Sequence, residues 1–101
     1  MTATADAIRY DMLPMHMREG AQMYIERGIC TGNFLLAVLK NDLVGAACQA
    51  DDVNRECLLD WARWLWNEAP RVCWGTPQRV AEWQERGGLF GIEAEGANDD
   101  A

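Results

Sequence analysis

The chain has 101 residues, a length that allows one domain with a single modest core. Half of its residues are hydrophobic and five are Trp, a composition far outside that of disordered chains. The formal charge of −7 lacks the cationic face that binding to phosphates or to an anionic membrane requires, so direct nucleic-acid and membrane partners are excluded as expectations.

Residues 1–11 read as a flexible lead. The stretch MTATADAIRYDM has neither a basic n-region nor an apolar h-region, so no secretory signal is expected. No apolar run approaches the ~18 residues of a membrane span. The four Cys, at 30, 48, 57 and 73, include no C-x-x-C pair. A reducing cytoplasm follows, with the thiols acting as small hydrophobes.

The helical domain spans 12–90. A first helix is expected from Pro14, whose missing N–H suits a first turn. Met17, Ala21, Tyr24 and Ile25 recur at one-sided helical spacing, and Gly28 supplies a left-handed end. Thr31 is the expected cap of a second helix, FLLAVL (34–39), apolar almost all round. Asn41 and Asp42 break it, and Asp42 caps a short third helix, LVGAACQA (43–50).

Asp51 or Asp52 caps a fourth helix expected to run to about Ala69, where Pro70 stops it. On a helical wheel, Trp61, Leu58, Ala62, Leu65 and Ala69 share one face, flanked by Trp64 and Cys57 on one side and by Trp66 and Leu59 on the other. The polar remainder is a stripe of Asp52, Glu56, Asp60, Arg63 and Asn67. This helix reads as the centre of the fold, wrapped by the others. PRVCWG (70–75) is a connector with Val72 and Trp74 tucked in. Thr76-Pro77 then opens a fifth helix with Val80, Ala81 and Trp83 inward. Gly87-Gly88 ends it, and Leu89 and Phe90 fold back. Residues 91–101 carry four acids and no base, and read as a disordered acidic tail. Residues 12–90 hold ten acids and eight bases, so most of the acidity belongs to the tail. The expected fold is all-α: a compact orthogonal bundle of about five helices.

Catalytic and cofactor chemistry find little footing. A zinc site needs about four converging ligands with close pairs. Here the Cys lie 18, 9 and 16 residues apart, and His16 is the one His. Met12, Met15, Met17 and Met23 around His16 supply soft sulfur, but thioethers also fill core gaps. There is no Gly-rich phosphate loop. The second helix of a helix-turn-helix reading would be FLLAVLK, which has no base-reading face. No catalytic residue, metal or cofactor is expected. The surface expected to meet a partner protein is the stripe Asp52, Glu56, Asp60 and Arg63. Like charges at such spacing cost helix stability, so an acidic stripe is suited to steering a basic partner. Trp64 borders it, an arrangement common at binding hot spots.

Five segments taken in order, YIERGI (24–29), FLLAVLKNDL (34–43), ADDVNR (50–55), WLWNEAP (64–70) and CWGTPQRVAEW (73–83), carry a further signal. Together they resemble a family of small uncharacterised helical proteins encoded by bacterial phages, prophages and other mobile elements. The likeness covers residues 15–88, with Cys30-Thr31 standing where that pattern has Pro after Ile29. It implies a small helical fold and a mobile-element context. It brings no catalytic residues. In that context the expected function is a non-enzymatic accessory protein that binds a host protein, of the anti-CRISPR type that inhibits a host defence complex. A prophage regulatory or assembly accessory protein is the first alternative, and a small enzyme or metal-binding protein the second.

Overall fold

The computed structural model describes residues 8–30 and 32–91. The described residues form α1 (Met15–Arg27), α2 (Asn33–Leu39), α3 (Leu43–Gln49), α4 (Asp52–Glu56), α5 (Leu58–Asn67), a 3-10 turn (Arg71–Cys73) and α6 (Pro77–Arg86). Residues 88–91 add a last helical turn. There is no strand among the described residues, so the fold is all-helical. Among the described residues no helix is long and apolar enough to cross a membrane.

Helix ends follow local chemistry. Pro14 precedes α1, and Gly28 closes it in the left-handed region at φ 71°. Gly87 closes α6 in the same region at φ 81°, and Gly88 follows it at φ 71°. A Cβ on Gly28 would stand 2.8 Å from the Trp83 carbonyl oxygen, and one on Gly88 would stand 2.6 Å from the Arg27 nitrogen. The C-terminal ends of α1 and α6 therefore cross at a distance that only glycine permits. Asp42 accepts the Gly45 N–H at the start of α3, Asp51 the Asn54 N–H at the start of α4, and Thr76 the Arg79 N–H at the start of α6. Such caps satisfy backbone donors that lack an intrahelical acceptor. Thr31, the expected cap of α2, lies outside the described residues, and Gly32 holds the N-cap position.

The core gathers Tyr24 and Ile25 of α1, Leu35 and Leu39 of α2, Trp61 and Trp64 of α5, and Val80 and Trp83 of α6. Its aromatic groups are fixed by hydrogen bonds as well as by packing. Tyr24 Oη donates to the Cys73 carbonyl at 2.6 Å. Trp83 Nε1 donates to the Tyr24 carbonyl at 2.9 Å, so α1, α6 and the 3-10 turn are tied through one residue. Trp61 packs edge-on against Phe34 and against Trp64. Such pairs add about 0.5–1.5 kcal/mol each beyond area burial.

Several expectations need correction. The helix expected over 52–69 is two helices. The Cys57 N–H is shared by the Val53 and Asn54 carbonyls, both at 3.1 Å, which tightens the turn and offsets α4 from α5. α5 then stops at Asn67, because the Glu68 and Ala69 N–H groups both bond the Trp64 carbonyl before Pro70. In the connector, Val72 is exposed and Cys73 is the buried side chain. Ala81 is exposed, leaving Val80 and Trp83 as the inner face of α6. Phe90 stays at the surface under the Arg27 guanidinium, while Leu89 is buried.

The lead is not free where it is described. Ile8 and Leu13 are buried, Arg9 N–H donates to Glu68 Oε1 at 2.9 Å, and Trp64 Nε1 donates to the Arg9 carbonyl at 2.7 Å. Residues 1–7 and the tail from residue 92 lie outside the described residues.

Candidate docking surface on α4 and α5

Asp51 fixes the start of α4. Its carboxylate accepts the Asn54 N–H at 2.7 Å and meets His16 Nε2 of α1 at 2.9 Å. The Asn54 N–H, and secondarily His16, hold the Asp51 carboxyl below its ordinary range. Asn54 itself is buried, and its Oδ1 accepts the Trp61 indole N–H at 3.2 Å. One buried amide thus couples α4 to α5 across the break at Cys57.

The structure divides the expected partner stripe. Asp52 and Glu56 lie on α4, Asp60 and Arg63 on α5. Asp52, Glu56 and Arg63 are exposed, and Asp60 is half-buried. Asp52 pairs with Arg55 at 3.3 Å, whereas Glu56, Asp60 and Arg63 have no ion pair among the described residues. Neither Asp51 with Arg55 nor Asp60 with Arg63 forms an ion pair, although helical spacing puts each two within reach.

Trp64 requires a correction. It is 0% exposed, under the Tyr10 ring at 6.0 Å and bonded to the Arg9 carbonyl. The packed end of the lead covers the side of α5 that a wheel leaves open beside the polar stripe. The exposed indole is Trp66 instead, 64% exposed, with the Arg71 guanidinium 4.3 Å from its ring centre.

Nor is α5 wrapped on all sides. Leu59 is 75% exposed and Ala62 is exposed. At about 100° per residue, Leu59, Ala62 and Trp66 fall on one side of the helix, turned away from Trp61, Trp64 and Leu65. Beside this stripe runs a groove of about 100 Å³ lined by Val38, Leu43, Ala46, Leu58, Ala62 and Leu65. Leu43 and Val44 are each 72% exposed at the α3 end. Exposed apolar side chains gathered in this way mark binding sites in soluble proteins.

Other chemically interesting side chains do not converge. Among the described residues no three His, Cys, Asp or Glu are placed to hold a metal ion. All four thiols are free. Burial pushes the Cys73 thiol up to about 12 and also raises that of Cys30, the opposite of nucleophile activation. Desolvation likewise raises the Tyr10 and Tyr24 hydroxyls. A search of protein-family models, of curated proteins and of solved structures finds no match to the chain.

Proposed function

We propose that this chain is a non-enzymatic accessory protein of phage or mobile-element origin that binds a host protein in the cytoplasm, as an anti-CRISPR-type inhibitor of a host defence complex. The observation that carries the binding reading is the placement of Leu59 and Trp66, 75% and 64% exposed, on the same two-helix ridge as Asp52, Glu56 and Asp60. Apolar anchors ringed by charge supply affinity at the centre and steering at the edge. The five-segment resemblance supports the mobile-element origin.

Expression in a bacterium with an active CRISPR system, challenged by a targeted phage, tests the reading. Restored plaque formation that is lost in the Asp52→Lys/Glu56→Lys protein is the expected result. Unchanged plating with the parent protein, together with no protein retained from host lysate, counts against it. The alternative, a prophage regulatory or assembly accessory protein, draws on the same exposed apolar stripe of Leu59 and Trp66.

A further inference from the structure

We infer that the stacked pair Trp66 and Arg71 is a carboxylate-binding corner, where an acidic residue of the partner protein docks with an apolar neighbour beside it; this rests on reading the ridge as a docking surface. The 3-10 turn after Pro70 carries Arg71 back over the last turn of α5, and its Cζ lies 4.3 Å from the centre of the Trp66 ring. The guanidinium has one face on the indole, yet its N–H groups make no hydrogen bond or ion pair among the described residues. Other arginines are taken up: Arg9 pairs with Asp11, Arg55 with Asp52, and Arg18 donates to the Leu13 and Asp11 carbonyls. A second cation sits on the same turn. Arg79 Nη1 lies 3.5 Å from the Arg71 carbonyl oxygen and 3.4 Å from that of Trp74, and it too has no carboxylate partner among the described residues.

The chemistry of the pair selects the ligand. A guanidinium presents a planar fork of donors that matches a carboxylate with two parallel hydrogen bonds. The indole beneath holds that fork in place, so less side-chain freedom is lost on binding. Trp66 and Val72, 64% and 61% exposed, give an apolar neighbour of the bound acid a surface to cover. The acids of this region do not fill the site. Glu68 accepts the Arg9 N–H, and Glu82 lines a hollow with Val72, Trp83 and Arg86 without forming an ion pair. A nucleic acid is a poorer occupant, because its phosphates would approach a chain of net charge −7 to reach one cationic corner. The ridge is therefore two-ended. Asp52 and Glu56 on α4 suit a base, while Arg71 beyond α5 suits an acid, so a partner with both charges is read in one orientation.

Nitrogen-15 NMR of the intact chain tests this by following the Arg71 Nε–H and Trp66 Nε1–H signals. The probe is an end-blocked peptide of alternating glutamate and leucine. The controls are the same peptide with glutamine for glutamate, and inorganic phosphate. The expected result is a saturable shift of both signals by the acidic peptide, with a Kd of about 1 mM, and roughly fivefold weaker binding of the neutral peptide. Arg71→Gln should lower the affinity for the acidic peptide to that for the neutral one. Arg71→Lys, which keeps the charge and loses the fork, should recover only part of it. Arg71 is exposed, and circular dichroism checks that each variant is folded. Absence of a saturable shift overturns the inference, as does equal binding of the two peptides or binding of phosphate as tight as that of the acidic peptide. A change in the amide signals of residues 92–101 on Arg71→Gln makes the chain's own acids the occupant and also overturns it. Lysate capture that is lost in Asp52→Lys/Glu56→Lys and unchanged in Arg71→Gln sinks the corner alone and leaves the binding reading intact.

Discussion

Replacing Asn54 by Ala isolates the joint between the two helices of the ridge. Asn54 is 2% exposed, and its Oδ1 is the acceptor of the buried Trp61 N–H. The Asp51 cap survives the change, because it is accepted from the backbone N–H of residue 54. Removing the amide leaves an indole donor buried without a partner, a penalty of about 1–3 kcal/mol. The better helix propensity of Ala returns about 0.5 kcal/mol. A net loss of about 1–2 kcal/mol remains, or roughly 5–15 °C in Tm for a domain of this size. Thermal and urea unfolding at one fixed protein concentration measure it, since self-association would shift the apparent stability. A double-mutant cycle with Trp61→Phe should return a coupling of about 1 kcal/mol. A change below about 0.5 kcal/mol in Asn54→Ala, with no coupling, refutes the joint.

The two neighbouring indoles should differ sharply. Trp64→Ala empties a buried site and should cost about 3–5 kcal/mol, whereas Trp66→Ala loses an exposed ring and its stack with Arg71, about 0.5–1 kcal/mol; chemical denaturation distinguishes them. Thiol labelling of the native chain at pH 8 should modify exposed Cys48 quickly and leave Cys73 unmodified until unfolding, because its thiol stays protonated at that pH. Asp51, held below its ordinary value, stabilises the fold above the unfolded carboxylate range and loses that contribution as pH falls through its folded value. Urea midpoints from about pH 6 to 2.5 should therefore fall less steeply in Asp51→Asn, which keeps an acceptor for the cap but does not titrate.

Much of the helical framework was legible because its ends are written in single residues. Pro14 and Gly28 bound α1, Asp42 starts α3, and Thr76-Pro77 opens α6, each where the structure has it; for α4 the sequence offered Asp51 or Asp52, and the structure takes Asp51. The break at Cys57 was not legible, because no Gly or Pro marks it. It follows from how Asn54 and Trp61 meet in the core, which is a tertiary fact. The same holds for Val72 and Ala81, whose sides depend on the 3-10 turn and on the angle at which α6 lands.

The surface was legible in its charges but not in its apolar part. Asp52, Glu56, Asp60 and Arg63 lie outside the core as polar helix positions should. Trp64 and Trp66 exchanged roles, because residues 8–13 close over one flank of α5, whereas on the other Leu59 and Trp66 stay exposed with only the Arg71 guanidinium over the Trp66 ring among the described residues. A signal was present: the apolar arc of Leu58, Leu59, Trp61, Ala62, Trp64, Leu65 and Trp66 is wider than one core contact needs. Such excess width points either to a helix wrapped all round or to one with a second, outward apolar face. In this fold it is the second.

The most direct test concerns whether activity resides on the α4 and α5 ridge. Capture from host lysate, with partners identified by mass spectrometry, should be compared for the parent chain, Asp52→Lys/Glu56→Lys, and a control reversal of the exposed α6 acids, Glu82→Lys/Glu85→Lys. A single partner held by the parent and the α6 control but lost from the α4 variant is the predicted outcome. Equal capture by all three proteins would contradict the account.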